Sequence, residues 1–114
     1  MFELTEYRTE EGRKPYSEWI ASLEDLIAAA RIDARLNRLS AELLGDCKPV
    51  GNGVWELRID PGPGYRVHNA QSGKRVVLLL IGGRKRTQSA GFRNATGYWK
   101  DFQERTHETR RSPF

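Results

Sequence analysis

Cysteine is nearly absent from this chain of 114 residues: Cys47 stands alone. No disulfide can form within the chain, so a reducing, cytoplasmic setting is expected. Cys47 also has no histidine at metal-ligand spacing, so no zinc site is expected, and no cofactor is implied. Long hydrophobic runs are missing too. The longest, Val76–Ile81, is strand-sized and far short of the roughly 20 apolar residues that span a bilayer, so no membrane association is expected. The opening MFELTEYRTEEGRK is acidic and holds no continuous apolar segment, which predicts no signal peptide. There is no internal repeat and no low-complexity segment. Acidic residues are scarce in one stretch only. Residues 47–93 hold nine Lys/Arg against two Asp/Glu, a net +7, whereas residues 1–46 carry −4 and residues 94–114 carry +1. So uneven a distribution points to an anionic partner, with nucleic acid the commonest, against the plainer reading of a solvated basic surface.

What is present fits one small domain, with 38% apolar residues and three Trp, four Tyr and four Phe for bulk. FELTEY alternates as a half-buried strand. Pro15 stands where proline opens a helix, and Tyr16, Trp19, Ile20 and Leu23 share one helical face. A second helix is predicted from Leu26 to Leu44, with Ile32, Leu36, Leu39 and Leu43 as its buried stripe, Arg31, Arg35 and Arg38 beside it, and Gly45 as its cap. GDCKPVGNG reads as a loop. VWELRID alternates, with Trp55, Leu57 and Ile59 facing the core and Glu56, Arg58 and Asp60 facing water. PGPG reads as a turn; it lacks the strand–loop–helix setting of a phosphate-cradling loop. YRVHNA is the next strand, with Arg66 and His68 on the wet face. QSG is a hairpin turn, and KRVVLLLIGG is apolar on both faces, as a central strand is. A last helix is predicted from Phe92 to Arg105, with Phe92, Ala95, Trp99 and Phe102 inward. The domain is taken as residues 1–105 and the polar tail as residues 106–114. The expected fold class is α+β: an N-terminal strand and a helical hairpin packed on a small antiparallel sheet, with a C-terminal helix and all helices on one face.

The run KPVGNGVWELRIDPGPGYRVHNAQSGKRVVLLLIGG, followed by TQ, resembles the phage-derived addiction-module killer proteins, type II toxins of the RelE/ParE superfamily near the HigB branch. PYSEWIASL and AAARIDARLNRL upstream and YWKDF downstream extend the resemblance over residues 14 to 102. It implies a RelE-like fold and a toxin paired with an antitoxin, often of the helix-turn-helix kind, that reaches operator DNA only through that antitoxin. It also implies metal-independent cleavage of mRNA on the ribosome, which stops translation. Residue by residue, the arginine of GYR, which binds the scissile phosphate in RelE-type enzymes, is Arg66; Lys85 and Arg58 match two further basic positions; Lys48 lies in the KP segment. Glu56 stands where RelE-type enzymes often have lysine, His68-Asn69 where relatives have an aromatic pair, and the family's C-terminal catalytic tyrosine has no clear equivalent.

RNA cleavage without a metal uses the 2′-hydroxyl as nucleophile, with a base, cationic stabilisation of the phosphorane and an acid for the leaving 5′-oxygen. Guanidinium suits the charge stabilisation at Arg66. His68, on the same strand face, is a proton-transfer candidate from the residues themselves rather than from the family's pattern. The basic triplet Arg84-Lys85-Arg86 closes the apolar hairpin where RNA binding would use it. The plainer reading of Arg66 is a surface residue pairing with Glu56 or Asp60. Two rival functions stay open: a toxin of the same fold that inhibits DNA gyrase by binding, and an inactive fold member that only binds its antitoxin.

Overall fold

The computed structural model describes residues 1–60 and 64–111, with side chains described as far as Thr106. The chain runs β1 (Glu3–Glu6), α1 (Pro15–Ser22), α2 (Leu26–Ser40), β2 (Cys47–Gly51), β3 (Val54–Ile59), β4 (Tyr65–Ser72), β5 (Val76–Arg84), a short 3-10 turn (Lys85–Thr87) and α3 (Gln88–Arg111). The sheet has five strands in the order β1-β5-β4-β3-β2. β2 to β5 form an antiparallel meander, and β1 joins β5 in parallel. The fold class is α+β, as the residue pattern predicted. No helix among the described residues is long and apolar enough to cross a membrane.

The first three elements follow local rules. Pro15 begins α1, where its missing N–H costs nothing. Asp25 caps α2 by accepting from the N–H groups of Ile27 and Ala28, each at 3.0 Å. α2 stops at Ser40, short of the predicted Leu44. Glu42 turns into the left-handed region at φ +66°. Its N–H donates to Leu39 O, and that of Leu43 to Arg38 O, both at 2.9 Å. This is a Schellman closure reached earlier than Gly45. Leu43 is therefore exposed and not part of the buried stripe, whereas Ile32, Leu36 and Leu39 are buried as expected. Arg35 is not a solvated member of its stripe: it donates to Arg58 O at 2.6 Å and ties α2 to β3.

The predicted loop before β3 contains an edge strand, β2. Pro49 has no N–H to give a ladder, so an edge is where it fits.

β5 sits between β1 and β4 and is apolar on both faces, so it demands cover on both. α1 and α2 supply one side. Tyr16, Ile32, Leu36 and Leu39 pack with Leu57, Ile59, Val67 and Leu79. Gly82 lets α1 approach: a Cβ there would collide with the Trp19 ring. The other side belongs to α3, whose Ala95, Phe92, Trp99 and Phe102 pack with Val54, Ala70, Leu78 and Leu80. The expectation that all helices share one face is thus corrected: the sheet is sandwiched. Tyr7 fastens α3 through a 2.5 Å hydrogen bond to Asp101 Oδ2 and a stack on Tyr98. α3 also starts four residues earlier than predicted and runs past Arg105 to Arg111, into the segment read as a polar tail. Residues 112–114 of that tail, and residues 61–63 of the PGPG turn, lie outside the described residues.

Candidate functional site

The antiparallel register of β3 and β4 sets Glu56 opposite His68, and Arg58 opposite Arg66. Directly opposed residues share a face, so all four side chains lie on the side of the sheet that α3 crosses. On the far side of β3, Lys48 of β2 stands opposite Glu56. Two arginines facing each other across a ladder repel. The Glu56 carboxylate resolves this by standing between them: its Oε1 is 2.9 Å from Arg58 Nε and 3.4 Å from Arg66 Nε. Its Oε2 is 3.1 Å from His68 Nε2.

The cluster is not on a wet face, which corrects the sequence reading of β3 and β4. Arg66 is 4% exposed, His68 1% and Glu56 3%. Alternation cannot reveal this, because a polar side chain on a strand reads as solvent-facing whether or not a helix later covers it. Arg66 also donates to Tyr65 O at 3.0 Å, and Asp60 lies 3.6 Å from its Nη1. The pairing of Arg66 with both Glu56 and Asp60, weighed from sequence against a phosphate role, is what the structure contains.

Burial pushes the His68 pKa below its ordinary 6.5; the Glu56 carboxylate opposes that shift and Arg66 adds to it. The imidazole is therefore neutral near pH 7. A carboxylate can only accept, so the proton sits on Nε2 and Nδ1 keeps its lone pair. Nδ1 is buried and has no hydrogen-bond partner among the described residues. It faces Gly91 of α3, where a Cβ would fall 3.1 Å from His68 Cε1 and 3.3 Å from Nδ1.

The cluster opens to solvent through one cleft of about 320 Å3, lined by Val50, Glu56, Arg58, Phe92 and Arg93 with Gln88 and Ser89 at the start of α3. Arg58 is the partly exposed arginine of the group, and its link to Glu56 raises its pKa further above the ordinary range. Arg84, Lys85 and Arg86 are exposed at the end of β5 and in the turn after it, with no ion pair among the described residues. Lys85 approaches Gly64 and its N–H donates to Gly64 O at 3.0 Å. No hydrogen bond or ion pair joins its side chain to Arg66 or His68 among the described residues. Arg58, Arg66 and His68 thus converge; Lys48 borders them; Lys85, Arg84 and Arg86 form a separate basic end.

Three contributors went unread in the sequence. Glu56, read as a water-facing departure from a family pattern and as an alternative partner for Arg66, is the hub of the cluster. Arg93 lines its mouth. Gly91, one residue before the predicted start of the last helix, lies against the His68 ring. The signal for Gly91 was its place one residue before the apolar face of a helix that must lie on a sheet. Among the described residues no group of His, Cys, Asp and Glu side chains is arranged to hold a metal ion.

No family model matches the chain. An "Uncharacterized protein" of Haemophilus influenzae (strain Rd) is 42% identical over 80 residues, which cover 70% of this chain and 81% of that protein.

Proposed function

The chain belongs to the same family as that Haemophilus influenzae protein, and we propose that it is the toxin of a type II toxin–antitoxin pair, a cytoplasmic, metal-independent endoribonuclease that cuts mRNA on the ribosome. The reading rests on the resemblance to the RelE/ParE superfamily described above, and on one structural observation: a histidine kept neutral by burial and fixed in one tautomer by a buried carboxylate, with two arginines around the same carboxylate and a cleft at its edge. In this reading Arg58 and Arg93, at the cleft, meet the phosphate of the RNA. Arg66 neutralises and orients Glu56 from behind, so the phosphate contact inferred for Arg66 passes to its exposed neighbours. Glu56 fixes the tautomer of His68 whose Nδ1 accepts a proton. The exposed Arg84, Lys85, Arg86 and Lys48 hold the backbone of the RNA.

A second reading has an observation of its own. The burial of Arg66 and His68 by the folded chain favours a fold member that binds its antitoxin without nuclease chemistry.

Induced expression separates the two. A toxin arrests growth, its translation stops before its DNA is affected, and co-expression of the neighbouring small open reading frame relieves the arrest. Normal growth with abundant folded protein would leave only the second reading. Arrest with intact mRNA and broken DNA would point to gyrase instead.

A further inference from the structure

On the face of the sheet away from α3, the end of β5 and the start of β4 meet the turn between α1 and α2. They enclose a cleft of about 560 Å3, lined by Trp19, Leu23, Glu24, Asp25, Tyr65 and Arg84. That volume lies within the range of ordinary ligand sites, about 300–1,000 Å3. None of these side chains has a part in the Glu56 cluster; Tyr65 touches it only through its backbone carbonyl, which accepts from Arg66.

The lining combines three chemistries. The half-buried Trp19 and Leu23, with Tyr65 whose ring centroid is 6.1 Å from that of Trp19, supply an apolar aromatic wall. Arg84 is exposed and supplies a cation with no ion pair among the described residues. Glu24 and Asp25 supply acceptors. Asp25 spends Oδ1 on capping α2, and neither its Oδ2 nor the Glu24 carboxylate has a hydrogen bond among the described residues. A bare anion site has no use for the aromatic wall, and a general polyanion surface would exclude the two carboxylates. A nucleotide uses all three: a π face for the wall, a phosphate for the cation and ring amino groups for the acceptors.

We propose that this cleft is a nucleotide subsite for single-stranded RNA, with the base against Trp19 and Leu23, the adjoining phosphate on Arg84, and Glu24 and Asp25 accepting from an exocyclic amino group. That the polymer is RNA rests on the reading above; that a nucleotide is held rests on the cleft alone. Arg84 runs directly into Lys85 and Arg86, so three successive cations lead from the cleft around the end of the sheet. Tyr65 and Arg66 are consecutive on β4 and project to opposite faces. The subsite and the Glu56 cluster therefore lie back to back at one sheet end, and a strand of RNA crossing that end touches both. Carboxylates only accept, so adenine and cytosine are favoured and uracil, with a carbonyl where they carry an amino group, is disfavoured.

The test is titration of the full-length protein with AMP, CMP and UMP, followed through the three tryptophan indole N–H resonances. The indole of Trp19 shifts and saturates while those of Trp55 and Trp99 stay in place, and AMP and CMP bind more tightly than UMP. Arg84→Ala weakens AMP by about tenfold through loss of the charged contact. Glu24→Gln narrows the preference for AMP over UMP. Both residues are exposed, so both variants fold. No shift of Trp19 at millimolar nucleotide would overturn the proposal. So would saturable shifts confined to the cleft of Arg58 and Arg93, or tighter binding of a Glu-rich peptide than of any nucleotide. Nucleotide binding at Trp19 without mRNA cleavage leaves the subsite standing and removes the nuclease; cleavage without such binding does the reverse.

Discussion

Glu56 and His68 stand directly opposite each other on β3 and β4, joined by a 3.1 Å hydrogen bond between Oε2 and Nε2, and both are buried. The same carboxylate separates Arg58 from Arg66. One side chain thus sets the tautomer of a histidine and the charge balance of two arginines.

Removing that carboxylate is costly. Glu56→Gln leaves Arg66, with a side chain 5% exposed, without its main counter-ion. Breaking a buried ion pair by taking away one partner destabilises by roughly 3–5 kcal/mol. Urea unfolding should show a loss of that order for Glu56→Gln, and a far smaller one for Arg58→Ala at the solvent edge of the cluster. Equal losses for the two would mean that Arg66 is not held by Glu56.

His68 makes stability depend on pH. Its folded pKa lies below 6.5 because burial disfavours the charged ring. The unfolded chain therefore binds more protons than the folded one as pH falls through 6.5, and stability drops on acidification over that window. The contribution is complete above pH 6.5. Urea midpoints between pH 7.5 and 5 should fall for the native sequence, and the slope should flatten in His68→Gln. An identical slope in both would place the titration elsewhere.

Two glycines of α3 separate packing from propensity. Glycine to alanine in a helix interior ordinarily stabilises by about 1 kcal/mol. At Gly97 a Cβ meets nothing within 4 Å, so Gly97→Ala should show that gain in thermal or urea unfolding. At Gly91 the new methyl would press on the His68 ring, which Glu56 holds on its other side. Gly91→Ala should forfeit the gain and shift the His68 resonances; a gain equal to that of Gly97→Ala would show that the ring yields freely.

Most of the fold was legible because its elements announce themselves by period. Tyr16, Trp19, Ile20 and Leu23 mark α1, the alternation of Trp55, Leu57 and Ile59 marks β3, and Val76–Ile81 marks a strand covered on both faces. β2 was not legible: Cys47–Gly51 holds a proline and a glycine, and the edge position that tolerates Pro49 is a tertiary fact. The face taken by α3 was not legible either, since Phe92, Ala95, Trp99 and Phe102 show that a helix has an apolar side but not which side of the sheet receives it. The demand was nonetheless visible in β5, whose second apolar face needed a cover. Once α3 lies there, Arg66 and His68 are buried, and Glu56 changes from an exposed oddity into the group that makes their burial tolerable.

The nuclease reading meets its most direct test on purified ribosomes translating a defined mRNA, with 5′ ends mapped after addition of the native protein, His68→Gln and Arg58→Ala. New 5′ ends within translated codons are expected from the native protein without added metal beyond what the ribosomes need. Loss of a positioned proton acceptor or charge should slow cleavage by roughly a hundredfold or more in each variant. Intact mRNA with the native protein, or cleavage by His68→Gln at the native rate, would contradict the assignment of nuclease chemistry to this cluster.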